Sequence, residues 1–489
     1  MTLNRVAPTH SALPTRGFRT AWKRVRRFSR FAVAVFGFSV CVTGIGSAQT
    51  AQPEQGDPKQ EQPPPEDSPD PLGTARRPYR GLFGGANTAS RRETTVNFNG
   101  SVSEVYDQDQ FGEGEPELGG LYTNFTGDLD YGRLGSRTQI SATGGTNLRY
   151  YSQQSEFLAA DYHASAGVET LVAPHTSLLI SETVMYSPVA LPGLFPNPLP
   201  PELGEPLPPT SNFAVTDDKL VNLGTTAVLE HEFSLRSQLT ANASYQYTDY
   251  LAEDTPTSDW SSLDSGAVYR YRVTGTTSFR TGYSYRRASY ALRDAPGGQG
   301  PQPDEHNPFV GVAFDREFPN QQRTMVSVEA GLSVFSAPVS TDLLSTNDRL
   351  RVAFAAVVAH QVGESWLLLG SFNRGSQFNQ GYGGPVYADE LYGSVTGYIN
   401  AKTDVTASMA YTNGQSVLAI SGQQFVTSTA GARIRHALSR HWALTAQYFY
   451  YSYDFTNAPG LPTLIAVPER FSRNSLRGGV SVFLPISRR

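Results

Sequence analysis

Between Leu121 and Tyr151 the chain alternates side-chain character along two segments joined by a five-residue turn. No other feature limits its possible folds as tightly. In the first segment Leu121, Thr123, Phe125, Gly127, Leu129 and Tyr131 share one face. Tyr122, Asn124, Thr126, Asp128 and Asp130 share the other. Gly132-Arg133-Leu134-Gly135-Ser136 turns the chain. The second segment then sets Thr138, Ile140, Ala142, Thr146, Leu148 and Tyr150 against Arg137, Gln139, Ser141, Thr143, Asn147 and Arg149. Period-two alternation is the mark of a half-buried strand. A strand tilted by about 45° needs about 9–11 residues to cross a bilayer, and each of these segments is that long.

The unit recurs to the C-terminus. A first strand is expected over Thr94–Val102. Others follow the opening hairpin near 157–172, 177–187, 218–233, 237–250, 262–273, 278–290, 307–316 and 323–336. The last are expected near 348–360, 366–376, 387–399, 404–412, 424–436, 441–455 and 471–484. That makes about eighteen. Short connections, such as 132–136, 173–176, 234–236 and 437–440, alternate with long ones, such as 105–118, 188–217, 291–306 and 456–470. Short turns at one end and long loops at the other, with an even strand count, describe an outer-membrane barrel. The fold class expected is therefore all-β: a transmembrane up-and-down antiparallel β-barrel over residues 92–489.

Composition agrees where it bears on this. Charged residues are 17%, and Tyr and Phe number 25 and 26. No stretch of the body approaches the roughly 20 apolar residues of a membrane helix. Polar lumen residues dilute the apolar outer face of a barrel, so mean hydropathy stays below zero, at −0.34.

Residues 1–48 read as a secretory signal. Arg16, Arg19, Lys23, Arg24, Arg26, Arg27 and Arg30 make a basic segment, Phe31 to Ile45 an apolar core, and Gly46-Ser47-Ala48 a cleavage site. The expected location is the outer membrane, after cleavage near Ala48. Loss of the segment's eight Lys/Arg takes the formal net charge from −5 to −13, which disfavours nucleic acid as a partner. The one cysteine, Cys41, would leave with the signal, so neither a disulfide nor a thiolate metal site is expected. Residues 49–91 alternate Pro with Gln, Glu and Asp and read as a disordered periplasmic linker. They are too few and too Pro-rich for the folded plug of a TonB-type receptor.

The outward face collects Leu239, Ala241, Ala243, Tyr245 and Tyr247, then Val326, Val328, Leu332 and Val334, then Trp442, Leu444, Tyr448 and Tyr450. The opposite face is polar, with Gln238, Thr240, Asn242, Ser244 and Gln246 as one example. Its expected acidic residues are Asp128, Asp130, Asp161, Glu169, Glu230 and Glu232, from earlier strands. Its expected basic residues are Arg270, Arg272, Arg280, Arg286, Arg433, Arg435 and Arg477, from later ones. Separated charges set a field across a pore. Alternatively they pair and brace the wall. Tyr392, Tyr398, Phe449 and Tyr451 face the lumen as candidate sugar-stacking groups, or as wall packing. Asp161, His163 and Ser165 share a face, but alternation produces such trios by chance. No G-x-S-x-G or H-E-x-x-H occurs. The expectation is a non-enzyme with no cofactor and no metal.

The signal, the linker, the Arg77-Pro78-Tyr79-Arg80-Gly81-Leu82-Phe83-Gly84-Gly85 stretch and the Tyr-rich strands together resemble bacterial outer-membrane β-barrel porin-like proteins. The nearest likeness is to the β-barrel porins found with exopolysaccharide export systems. The resemblance implies a wide, passive, water-filled conduit for polysaccharide, working with a periplasmic polysaccharide-export protein. Outer-membrane lipid and the barrel-assembly machinery are the other implied partners. Many such barrels end on an aromatic residue, whereas this one ends Phe483-Leu484-Pro485-Ile486-Ser487-Arg488-Arg489. A general diffusion porin for small hydrophilic solutes is one alternative function. A plugged structural or adhesive barrel acting through its loops is another.

Overall fold

A computed structural model describes residues 93–110, 120–151, 157–189, 215–251, 259–290, 302–318, 322–336, 350–363, 365–379, 384–417, 424–457 and 470–488. The expected signal segment, the linker and most of the long loops lie outside the described residues.

Eighteen strands account for nearly all of these residues. They are β1 (Glu93–Gln110), β2 (Gly120–Leu134), β3 (Thr138–Tyr151), β4 (Phe157–Ala173), β5 (Thr176–Val189) and β6 (Val215–Ser234). Then come β7 (Ser237–Tyr250), β8 (Trp260–Arg272), β9 (Thr277–Tyr290), β10 (Asp304–Phe318), β11 (Gln322–Ser336) and β12 (Leu350–Val362). The last six are β13 (Trp366–Asn379), β14 (Gly384–Asn400), β15 (Thr403–Ser416), β16 (Gln424–Ala437), β17 (Trp442–Asn457) and β18 (Arg470–Arg488). Each strand pairs antiparallel with its neighbours in sequence, and β1 also pairs with β18. One up-and-down sheet thus closes on itself, so no strand is an edge strand.

The alternation seen in the sequence decides which way each strand faces. Leu121, Phe125 and Leu129 stand exposed on the outside of β2, while Tyr122, Asn124 and Asp128 are buried on the inside. Exposed apolar residues recur around the wall, including Val310 and Val312, Val328 and Leu332, Leu391 and Val395, and Trp442 and Leu444. The buried set is rich in Asp, Arg, Asn, Ser and Thr. This distribution inverts that of a water-soluble domain, and it is stable only when lipid covers the outside.

Several strands run past their expected boundaries, β1 the furthest. Thr94–Val102 was too short a first strand, because β1 runs on to Gln110. Asp107 and Asp109, expected in the 105–118 connection, therefore belong to the wall. Barrel closure supplies their neighbours on β18: Asp107 lies beside Ser475, and Asp109 opposite Arg473. Likewise β15 continues past residue 412 to Ser416, paired with both β14 and β16.

The β4–β5 connection is a two-residue turn, Pro174-His175. His175 has φ 66°, the one positive φ at a non-glycine among the described residues. Tight hairpins need left-handed residues so that their twist matches the strands.

Candidate functional site

An eighteen-strand barrel is too wide for its own side chains to fill, so its lumen is the natural functional site. All thirteen charged residues singled out from the sequence face it. Register decides which of them meet.

On β1, β2 and β4 four lumen carboxylates are engaged. Asp128 lies 2.8 Å from Nε2 of His163. Asp130 accepts hydrogen bonds from Asn99 at 2.6 Å and Thr143 at 2.8 Å. Asp161 accepts from Arg149 at 3.0 Å, Asn147 at 3.1 Å and Ser187 at 2.6 Å. Asp107 pairs with Arg473 at the β1–β18 seam. A buried carboxylate is tolerated when its lone pairs are filled in this way.

Several later arginines are engaged too, by acids that sequence reasoning did not single out. Arg280 reaches Glu329 at 2.5 Å. Arg435 reaches Asp404 at 2.5 Å, both almost fully buried. Arg286 pairs with Asp264 and lies 3.7 Å from Glu305. Arg433 donates to Thr406 at 3.5 Å. The missed partners were findable in principle, since each lies on the lumen face opposite or near its arginine once a register is assumed. Asp404 is directly opposite Arg435, and Asp264 directly opposite Arg286.

What remains open is concentrated at the short-turn end. Among the described residues Glu230 accepts only from Gln238, at 3.5 Å, and Glu232 lies 3.8 Å from His175. Among the described residues Glu169, Arg270 and Arg272 make no ion pair or hydrogen bond through their side chains. Arg270 even faces Arg280 across the ladder. Acidic β4 and β6 are therefore separated from basic β8 and β9 by the neutral Gln238 of β7. Arg477, higher on β18 and opposite Gln447, is likewise without an ion pair among the described residues.

The lumen is not of uniform bore. Nη1 of Arg286 on β9 donates to the carbonyl of Ser376 on β13 at 3.1 Å. These strands are separated by three others. A guanidinium spans only about two strand spacings of roughly 4.8 Å, so the upper part of β13 must lean inward to meet it. Beneath this contact lies a cavity of about 230 Å³ lined by Arg286, Glu305, Asn307, Glu329, Asn373 and Ser376, among others.

The aromatic candidates divide. Tyr392 and Tyr398 lie half-buried on the lumen face of β14. Phe449 and Tyr451 are buried, with ring centroids 6.4 Å apart and planes 25° apart, so they stack on each other. Asp161 and His163 engage different partners, Arg149 and Asp128.

No family model matches the chain, and no curated protein matches it. Among solved structures it is similar to OccK2 (OpdF) of Pseudomonas aeruginosa, at 9% identity and TM-score 0.43, covering 81% of this chain and 98% of that one. It is also similar to a BenF-like porin of Pseudomonas fluorescens Pf-5, at 9% identity and TM-score 0.41, covering 80% and 99%. A third is the siderophore receptor PirA of Pseudomonas aeruginosa, at 9% identity and TM-score 0.41, covering 82% and 81%. The fold is that of a bacterial porin-like β-barrel. The closed eighteen-strand wall and the polar lumen carry that statement on their own.

Proposed function

We propose that this barrel is a passive conduit of the outer membrane for small hydrophilic solutes. The observation that carries the reading is the Arg286–Ser376 contact inside a polar, charge-lined lumen. Water and small polar solutes find hydrogen-bonding partners along such a wall. The inward lean of β13 narrows the bore. Polysaccharide export, which the sequence resemblance implied, calls for a wide and unobstructed passage, so the diffusion-porin alternative fits better. The unpaired Glu169, Arg270 and Arg272 at the short-turn end give that mouth a transverse field, which orients dipolar solutes as they pass.

The test is single-channel conductance of the refolded chain in a planar bilayer, together with swelling of liposomes in sugars of increasing size. The expected result is a steady conductance, with swelling for monosaccharides and none for long oligosaccharides. A folded, inserted barrel that conducts nothing would overturn the reading. Equal passage of long oligosaccharides would restore the wide export bore.

A further inference from the structure

The ladder between β12 and β13 stops short of the long-loop end. β12 and β13 pair from Val362 opposite Trp366 up to Phe354 opposite Arg374, and there the ladder ends. Both strands continue, to Leu350 and to Asn379. The same register would set Ala353 against Gly375 and Val352 against Ser376. Instead the Ser376 carbonyl is held inside by Arg286. Outside, the phenol of Tyr387 on β14 donates to the carbonyl of Val352 on β12, passing over β13. The guanidinium carbon of Arg351 stands 4.7 Å from the centroid of the Tyr387 ring.

Beside this fork, on the outward face, lies a hollow of about 310 Å³. Arg374, Tyr387, Asp389, Asn413, Gln415 and Gln424 line it. Its height on the barrel follows from its own strands. On the same face of β14 the exposed Ile399, Val395 and Leu391 lead up to Asp389, and on β15 Met409 and Tyr411 lead up to Asn413. The apolar belt ends where the hollow begins, at the long-loop side. That is the level of lipid headgroups.

The lining has a definite chemistry. Arg374 and Asp389 form two parallel hydrogen bonds, of 2.5 and 2.6 Å, so their charges cancel. The side-chain amides of Asn413, Gln415 and Gln424 make no hydrogen bond within the protein, among the described residues. Three amides offer donors and acceptors together, beside an aromatic ring. This set suits the hydroxyl groups and apolar ring face of a sugar, and it offers no net charge to a phosphate. A hollow of about 300 Å³ is at the small end of ligand sites.

We propose that this hollow binds the neutral glycosyl headgroup of a membrane amphiphile, whose chains run down over Leu391 and Tyr411. The site needs a membrane-spanning barrel and does not depend on an open bore. The probe is a dodecyl glucoside carrying a photoreactive diazirine in its tail, added to the full chain in phosphatidylcholine nanodiscs. Labelled peptides are then mapped by mass spectrometry.

Labelling is expected to concentrate on β13 to β15. Excess dodecyl maltoside should suppress it, and dodecylphosphocholine should not. The pair Asn413→Ala and Gln415→Ala should reduce labelling there by about tenfold, as expected for two lost hydrogen bonds. Heat-modifiable gel mobility reports whether that variant is folded, and Gln424→Ala is a milder second test. Labelling spread evenly around the belt overturns the proposal, as does equal competition by dodecylphosphocholine. Equal competition by free glucose overturns the membrane source and assigns the hollow to a soluble sugar.

Discussion

Arg286 on β9 donates to the carbonyl of Ser376 on β13 at 3.1 Å, across the lumen side of three intervening strands. The same guanidinium pairs with Asp264 and stands near Glu305. One side chain therefore both pairs with one wall carboxylate, beside a second, and draws in the top of β13.

Replacement of Arg286 by Met removes that tether. Single-channel conductance should rise, and the size limit in liposome swelling should move upward. If conductance is unchanged in a folded variant, the contact does not set the bore.

The fork between β12 and β13 makes a geometric prediction. Directly paired strand residues lie about 4.5–5.5 Å apart at Cα, within the 4.4–6.8 Å that a disulfide spans. Ala355 and Asn373 are so paired. Their double cysteine variant should oxidise readily in the membrane. The pair Ala353→Cys and Gly375→Cys, one step beyond the last ladder pair, should oxidise slowly and incompletely. Equal yields, read on non-reducing gels, would mean that the ladder continues.

The β1–β18 seam depends on Arg473 and Asp107, both nearly fully buried. Removing one member of a buried ion pair costs on the order of 3–5 kcal/mol, because the other charge is stranded. Asp107→Asn or Arg473→Met should lower the urea midpoint of the folded barrel markedly. The combined Asp107→Leu/Arg473→Met variant should recover much of that loss. A double variant worse than either single one would contradict this account of the seam.

Charge reversal at the short-turn mouth should change ion selectivity. Arg270→Glu with Arg272→Glu is expected to shift the reversal potential in a salt gradient toward cations. Glu169→Lys with Glu230→Lys is expected to shift it toward anions. Both shifts should shrink as salt rises, since screening acts within about 10 Å at 0.1 M. Unchanged reversal potentials would remove these residues from the permeation path.

The strand pattern was legible because lipid and water impose it residue by residue. A one-residue slip would turn every Leu and Phe of β2 into the lumen and every Asp toward lipid. Leu121, Phe125 and Leu129 therefore announced their face before any fold was known, and so did the lumen positions of Asp128, Arg280 and Arg435. Strand number, closure and the alternation of short and long connections followed from counting such segments. Pairing was not legible. Asp107 and Arg473 stand 366 positions apart in the chain and meet only because the sheet closes. The alternation by itself leaves Asp107 in the 105–118 connection.

The sequence by itself determined the barrel, its apolar outside and its polar lumen, since alternation is a local response to two solvents. Only the tertiary structure decided which charges neutralise each other, which stay open at the short-turn mouth, and where the β12–β13 ladder ends. Those outcomes depend on the register of neighbouring strands and on contacts across the lumen. Arg286 finds Ser376 through the closed sheet, and nothing in the chain between them, which stand 90 positions apart, encodes that meeting locally.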